Sequence, residues 1–298
     1  MPLFDGLTAA TFTPFNERGT LHFEPIAGYV DYLIAEGMTG LYVCGTTGEG
    51  ISMTVAERQQ AVEVFLETTA GRIPVAVQVG ANSLDDARTL AAHAETAGVA
   101  AISANAPSYF RIDNTQVLAD CMICIAEAAP RTPFYYYHIP NLTGTLLDMT
   151  AFLTIMEARC PTFAGVKYSD SKAFIYQEAA VYGNGKYEIL WGCDEMLLSA
   201  LVLGCSGGIG STYSLQPAIY RELMAAWHAC DLEAARKWQA RSWLFVKIFS
   251  KYGHPLATQK AILRMLGFDF GPCRLPIPLL ADEAEEKLLA ELKEHAFL

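Results

Sequence analysis

The chain has 298 residues, 52% of them hydrophobic and 18% charged, and carries a net charge of −11. Such a composition excludes a disordered or fibrous chain, and the acidic balance argues against a nucleic-acid or anionic-membrane surface as partner. No run of about 18 apolar residues occurs, and the N-terminal stretch MPLFDGLTAATFTPF has neither a basic n-region nor a signal-length apolar core, so a cytoplasmic protein is expected.

The first apolar run, Leu7–Thr13, reads as a strand and ends in TFTPF. It lacks the glycine-rich turn that a doubly wound nucleotide-binding sheet places after its first strand. A second strand, Gly40–Cys44, leads into GTTGEG and then into a helix over Thr54–Ala70, where Thr54 and Glu57 form a capping box. Strand Pro74–Val79 is followed by helix Ser83–Ala97, and the glycines Gly71 and Gly98 stop these two helices. Ala100–Ala104, Phe134–His138, Phe163–Lys167, Glu188–Trp191 and Gly207–Ser211 complete a set of eight strands. Leu215–Tyr252 reads as one long, mostly helical stretch, and Ala257–Leu266 and Ala281–His295 as further helices. Strands alternating with helices imply a parallel sheet with right-handed crossovers. Eight such units suit an α/β fold of the (β/α)8 TIM-barrel type, one domain with the barrel over about residues 5–230 and a C-terminal helical extension over about 231–298.

The eight cysteines are scattered, mostly among apolar neighbours, and a chain this size needs no disulfide framework. Cys121 and Cys124 form the sole C-x-x-C spacing, but they fall in a helical pattern with no second pair and no histidine, which argues against a zinc or redox site.

A barrel places its chemistry at the C-terminal ends of its strands. Those ends carry Thr46, Thr47 and Glu49, then Tyr137 and His138, then Lys167 and Ser169, then Gly192, Asp194 and Glu195, then Ser211. Lys167 ends the apolar run FAGVK and admits two readings. An apolar surround lowers a lysine pKa and yields an amine able to form a Schiff base; alternatively the stem is buried and the ammonium snorkels or pairs with a carboxylate. Tyr137 is the last inward tyrosine of FYYYHI, sharing a face with Tyr135 while Tyr136 faces the helices. Its phenol can shuttle a proton. The GTTGEG turn offers hydroxyls and backbone N–H groups to a carboxylate. Glu49 reads as a solvated or capping carboxylate, and His138 as a structural histidine, since no metal-binding cluster accompanies it.

Taken together, GTTGEG, YYYHIPNLTG, GVKYSD, WGCDE and GGIGSTY resemble, in order and over Leu7 to Pro276, the pyruvate-dependent class I aldolases, the family that includes N-acetylneuraminate lyase and dihydrodipicolinate synthase. The closer resemblance is to the lyase branch, because Leu142 stands where the synthases usually carry an arginine. The resemblance implies that Lys167 forms an imine with a substrate ketone and that Tyr137 moves a proton. Thr46 and Thr47 would hold the pyruvoyl carboxylate. Ser169, Gly192, Asp194, Glu195 and Ser211 would line a sugar-tail pocket, with Tyr109 contributed across a subunit interface. It further implies sialic acid and pyruvate as small-molecule partners, no metal or organic cofactor, and a homotetramer. Ser169 replaces a frequent threonine and Thr46 a frequent serine, which keeps a hydroxyl at both places. Rival readings are an aldolase or hydratase-aldolase for 2-keto-3-deoxy sugar acids, dihydrodipicolinate synthesis, and a non-catalytic sugar-acid binding protein on the same fold.

Overall fold

The computed structural model describes residues 3–298; Met1 and Pro2 of the N-terminal stretch lie outside the described residues. Eight strands alternate with helices: β1 Gly6–Ala10, α1 Ile26–Ala35, β2 Gly40–Val43, α2 Val55–Thr69, β3 Val75–Gln78, α3 Leu84–Ala97, β4 Ala101–Asn105, α4 Thr115–Ala126, β5 Phe134–His138, α5 Pro140–Thr143, α6 Met149–Arg159, β6 Phe163–Tyr168, α7 Ala173–Val181, β7 Glu188–Trp191, α8 Leu197–Val202 and β8 Gly207–Gly210. Four helices follow: α9 Pro217–His228, α10 Leu232–Tyr252, α11 Pro255–Met265 and α12 Asp282–Glu294. Every strand is parallel to its neighbours and β8 closes on β1, so the sheet is a complete TIM barrel. No helix among the described residues is long and apolar enough to cross a membrane.

Two packed layers result. The larger lies between strands and helices and takes Val43, Val77, Tyr136, Val166, Tyr168 and Trp191 from the outer face of the sheet. The smaller fills the barrel with Phe4, Ala10, Tyr42, Ala76, Tyr135, Tyr137, Leu190 and Ile209. Strand alternation thus divides FYYYH as its sequence pattern requires, with Tyr136 outside and its two neighbours inside.

Local signals account for most boundaries. Thr54 and Glu57 do form the capping box of α2, and Gly98 ends α3 in the left-handed region at φ 82°. Most expected boundaries fall within two residues of those observed, and two depart further. β1 ends at Ala10, because after the Thr11 N–H bonds to the Tyr42 carbonyl the chain turns its hydroxyls to other work: Thr13 Oγ1 donates to the Gly48 carbonyl at 2.7 Å. The stretch Leu215–Tyr252 is two helices, α9 and α10, broken at a turn where Cys230 adopts φ 58° and Asp231 caps the next helix. No glycine or proline marks that break, so helical periodicity ran across it.

Candidate active site

The strand ends open into a cavity of about 650 Å³, a volume typical of sites that enclose a small molecule. Lys167 lines it by virtue of a bulge. β5 pairs with β6 as Phe134 against Phe163 and then Tyr135 against Gly165, leaving Ala164 as an extra residue. Phe163 and Val166 therefore pack in the outer layer, while Ala164 packs against the interior and Lys167 comes level with Tyr137. Gly165 permits this: a Cβ there would lie 1.8 Å from the Glu188 carbonyl oxygen of β7.

Lys167 is only 4% exposed. Its Nζ lies 3.9 Å from the centre of the Tyr42 ring and 4.2 Å from that of Tyr137. Those ring faces return to a cation a fraction of what water would give it. Burial dominates and pushes the lysine pKa down to about 7, against the opposing pull of the Asp194 charge. The amine is consequently available as a nucleophile near neutral pH.

Tyr137 stands beside it with its hydroxyl 3.3 Å from Thr46 Oγ1. Burial raises its pKa to about 12, and hydrogen bonds to Thr46 and Ser169 act in the opposite sense. The phenol is thus protonated at neutral pH, yet it sits in a line of hydroxyls through which a proton can pass. Ser169 faces the same cavity. It approaches β7 so closely that a Cβ on Gly192 would fall 2.0 Å from Ser169 Oγ, so glycine at 192 keeps this wall open.

Thr46 and Thr47 line the cavity on the turn after β2. Glu49 follows them, and here expectation fails. Glu49 is neither solvated nor a cap: it is buried, adopts the left-handed region at φ 52°, and places Oε1 2.7 Å from Lys260 Nζ on α11. Its Oε2 accepts from the Arg274 backbone N–H at 2.8 Å. The partners are more than 200 residues away in sequence, which no local pattern announces. The turn is therefore clamped from behind by the C-terminal segment.

Asp194, Glu195 and Ser211 also line the cavity. Asp194 Oδ2 accepts from the Thr212 N–H at 2.9 Å and from Thr212 Oγ1 at 2.6 Å. Burial raises the pKa of both Asp194 and Glu195, and for Glu195 the neighbouring Asp194 charge adds to it. Tyr109 is not brought to the cavity of its own chain. It is 80% exposed and packs edge-on against Phe110, whereas Ser108 just before it does reach the lining. His138 faces outward, stacked on Tyr168 with ring centres 4.9 Å apart, and burial holds its pKa at about 4, so it is a neutral structural residue. Cys121 and Cys124 are free thiols on α4, and the Cys124 carbonyl accepts from Arg88 at 2.7 Å. Among the described residues no cluster of three or more His, Cys, Asp or Glu side chains could hold a metal ion.

Two groups of lining residues escaped the reading of the sequence. Gln78 and Asn105, at the ends of β3 and β4, are hydrogen-bonded to each other, and the buried Arg58 donates to Gln78 Oε1 at 2.6 Å and to the Gly80 carbonyl at 3.0 Å. The rule that barrel chemistry gathers at strand ends points to both. The second group is the roof. Phe249 and Ser250 of α10 and Leu256 and Gln259 of α11 close over the cavity, although the C-terminal helices were expected only to extend the barrel.

The model of the Dihydrodipicolinate synthetase family matches residues 3–295. The N-acetylneuraminate lyase of Rattus norvegicus is 37% identical over 297 residues, covering 98% of this chain and 93% of that protein. Among solved structures, the N-acetylneuraminate lyase of Aliivibrio salmonicida superposes with a TM-score of 0.96 at 31% identity, covering 100% of this chain and 99% of that one. A catalytic lysine mutant of the Ruminococcus gnavus sialic acid aldolase superposes with a TM-score of 0.90 at 30% identity, covering 100% of both chains. With a family match spanning nearly every residue and relatives above 30% identity over almost their full length, the chain belongs to the dihydrodipicolinate synthetase family.

Proposed function

We propose that this chain is a Schiff-base aldolase that cleaves N-acetylneuraminate reversibly to N-acetylmannosamine and pyruvate, a carbon–carbon lyase. The observation that carries the reading is the Lys167 amine, buried and lowered to about 7, level with Tyr137 in a cavity far larger than a three-carbon acid needs. The relatives named N-acetylneuraminate lyase and sialic acid aldolase support the substrate assignment, and one of them has a catalytic lysine. Leu142, exposed at the cavity wall, offers no guanidinium to a second carboxylate, which speaks against dihydrodipicolinate synthesis.

In this reading the neutral Lys167 amine adds to the ketone carbon of the open-chain substrate, and the carbinolamine loses water to give a protonated imine. The C4 hydroxyl then gives its proton to Tyr137, which passes its own toward Thr46 and the substrate carboxylate. Because burial keeps the phenol protonated, Tyr137 acts as a relay and not as a standing base. The C3–C4 bond breaks, its electron pair moves into the imine as an enamine, and the aldehyde leaves. Protonation at C3 and addition of water release pyruvate and free the lysine. Thr46, Thr47 and the N–H groups of their turn hold the carboxylate, and Ser169, Gly192, Asp194, Glu195 and Ser211 face the hydroxylated tail. No step calls for a metal or organic cofactor, since the imine is itself the electron sink. The chain assembles as a homotetramer in which Tyr109 meets a neighbouring subunit. Eight free thiols, among them the exposed Cys230, fit a reducing cytoplasmic compartment.

Borohydride reduction in the presence of pyruvate, followed by peptide mapping, tests the chemistry. A pyruvate adduct on Lys167 is expected, and an unmodified Lys167 overturns the mechanism. If the adduct forms but N-acetylneuraminate yields no pyruvate while a 2-keto-3-deoxy sugar acid does, the substrate assignment falls and the mechanism stands.

A further inference from the structure

Gln259 sits on α11, opposite the strand ends, and lines the cavity from its helical roof. It is 5% exposed, and its carboxamide oxygen is buried without a hydrogen-bond donor among the described residues. A buried carbonyl left without a donor is costly and uncommon. Its backbone is held firmly. The next residue, Lys260, is fixed to Glu49 at 2.7 Å and to the Pro272 carbonyl at 3.1 Å, with its ammonium 4.6 Å from the centre of the Phe15 ring. The residue before Gln259, Thr258, bonds back to the Pro255 carbonyl at 3.0 Å. The orphaned acceptor is therefore held in the cavity wall by a rigid element.

We infer that Gln259 is a specificity-determining contact: its side-chain oxygen accepts a hydrogen bond from a hydroxyl or amide N–H on the distal tail of the substrate. The inference rests on the aldolase reading above and adds a roof contact to the tail pocket built from β6, β7 and β8. Lys167, Ser169 and Glu195 line the cavity from the barrel side and Gln259 from the helices, so a keto acid anchored at Lys167 needs a polar tail to use both. A short keto acid leaves Gln259 untouched. The acceptor thereby favours long polyhydroxylated substrates at the level of binding, since a site that hydrogen-bonds a substrate group penalises analogues lacking it.

The test compares Gln259→Leu and Gln259→Glu with the unaltered full-length enzyme. Three quantities are read for each: KM and kcat for N-acetylneuraminate cleavage, and the pyruvate concentration that half-saturates borohydride trapping on Lys167. One neutral hydrogen bond corresponds to roughly a three- to tenfold change in an equilibrium. Q259L is expected to raise KM for N-acetylneuraminate by about that factor, with kcat within about twofold. Q259E keeps an acceptor at the same reach and is expected to retain most of the affinity. The pyruvate half-saturation should hold in both. A KM for Q259L within about twofold of the unaltered enzyme overturns the inference. So does an equal rise in the pyruvate half-saturation, which marks a loosened fold and not a lost tail contact. If Leu disrupts α11, Gln259→Met carries the same expectation. Failure of the aldolase reading is separately visible, because the unaltered enzyme would then form no adduct or release no pyruvate.

Discussion

Burial of the Lys167 amine carries a cost in stability. In the unfolded chain it titrates near 10.5, and in the fold near 7. A base whose folded pKa is depressed must release its proton, or keep it without water, when the chain folds. The resulting cost is fully present below about pH 7 and fades as pH rises toward 10.5. At 1.36 kcal/mol per unit it amounts to a few kcal/mol. Lys167→Met should therefore raise the thermal midpoint by several degrees at pH 7, with a gain that shrinks toward pH 10; scanning calorimetry across that range checks the trend, and a gain that grows with pH contradicts it. Imine formation has the matching profile: trapping with pyruvate should accelerate through about pH 7 and then level off. A rate that keeps climbing well past about pH 8 without levelling off would mean the amine is not depressed.

At the level of elements, the turn after β2 depends on α11. Glu49 and Lys260 are both buried, and each is the other's charge partner. Removing one member of such a pair typically costs about 3 to 5 kcal/mol, because the survivor stays buried and uncompensated. Lys260→Met should destabilise the protein by about that amount and raise the KM for N-acetylneuraminate through a displaced Thr46–Thr47 turn. The double variant Glu49→Gln, Lys260→Met should recover much of the stability. Denaturant melts of the two singles and the double settle it, and strictly additive losses would show that the two side chains do not act as a pair. This clamp also shows where sequence reading stops. GTTGEG was legible as a turn because glycines and hydroxyls declare themselves locally, whereas the fate of Glu49 depends on a helix formed much later in the chain. The bulge on β6 is similar. Counted from Phe163 by simple alternation, Lys167 shares the face of Phe163, yet Phe163 packs outward and Lys167 inward because Ala164 is inserted between them. Gly165 carries the signal for that irregularity, but within FAGVK it reads equally well as an ordinary small residue.

For the whole molecule, eight strands and the closed barrel were legible because apolar runs and helical periodicity alternate regularly along the chain. The lysine and tyrosine followed from the strand-end rule and from the inward parity of FYYYH. What stayed hidden was association between distant parts: the roof over the cavity and the clamp behind its turn. Tyr109 and Phe110 are 80% and 83% exposed, adjacent to a cavity-lining serine. If the chain assembles as proposed, two large aromatics bared side by side are the expected place of contact. Changing both to serine should shift the assembly to smaller species in analytical ultracentrifugation; identical sedimentation of the variant and the original would remove this rim from the interface.

The roof has a consequence for how the protein comes into being. The reactive amine and its phenol partner are made by residue 167, but the residues that close the cavity and hold the carboxylate turn, from Phe249 to Ile277, leave the ribosome more than 80 residues later. A nascent chain can hold its lysine and tyrosine in place while the vault above them is still missing. Closure of the cavity then waits until synthesis has passed Ile277, and a message cut short before that point would yield a barrel with its buried amine open to water.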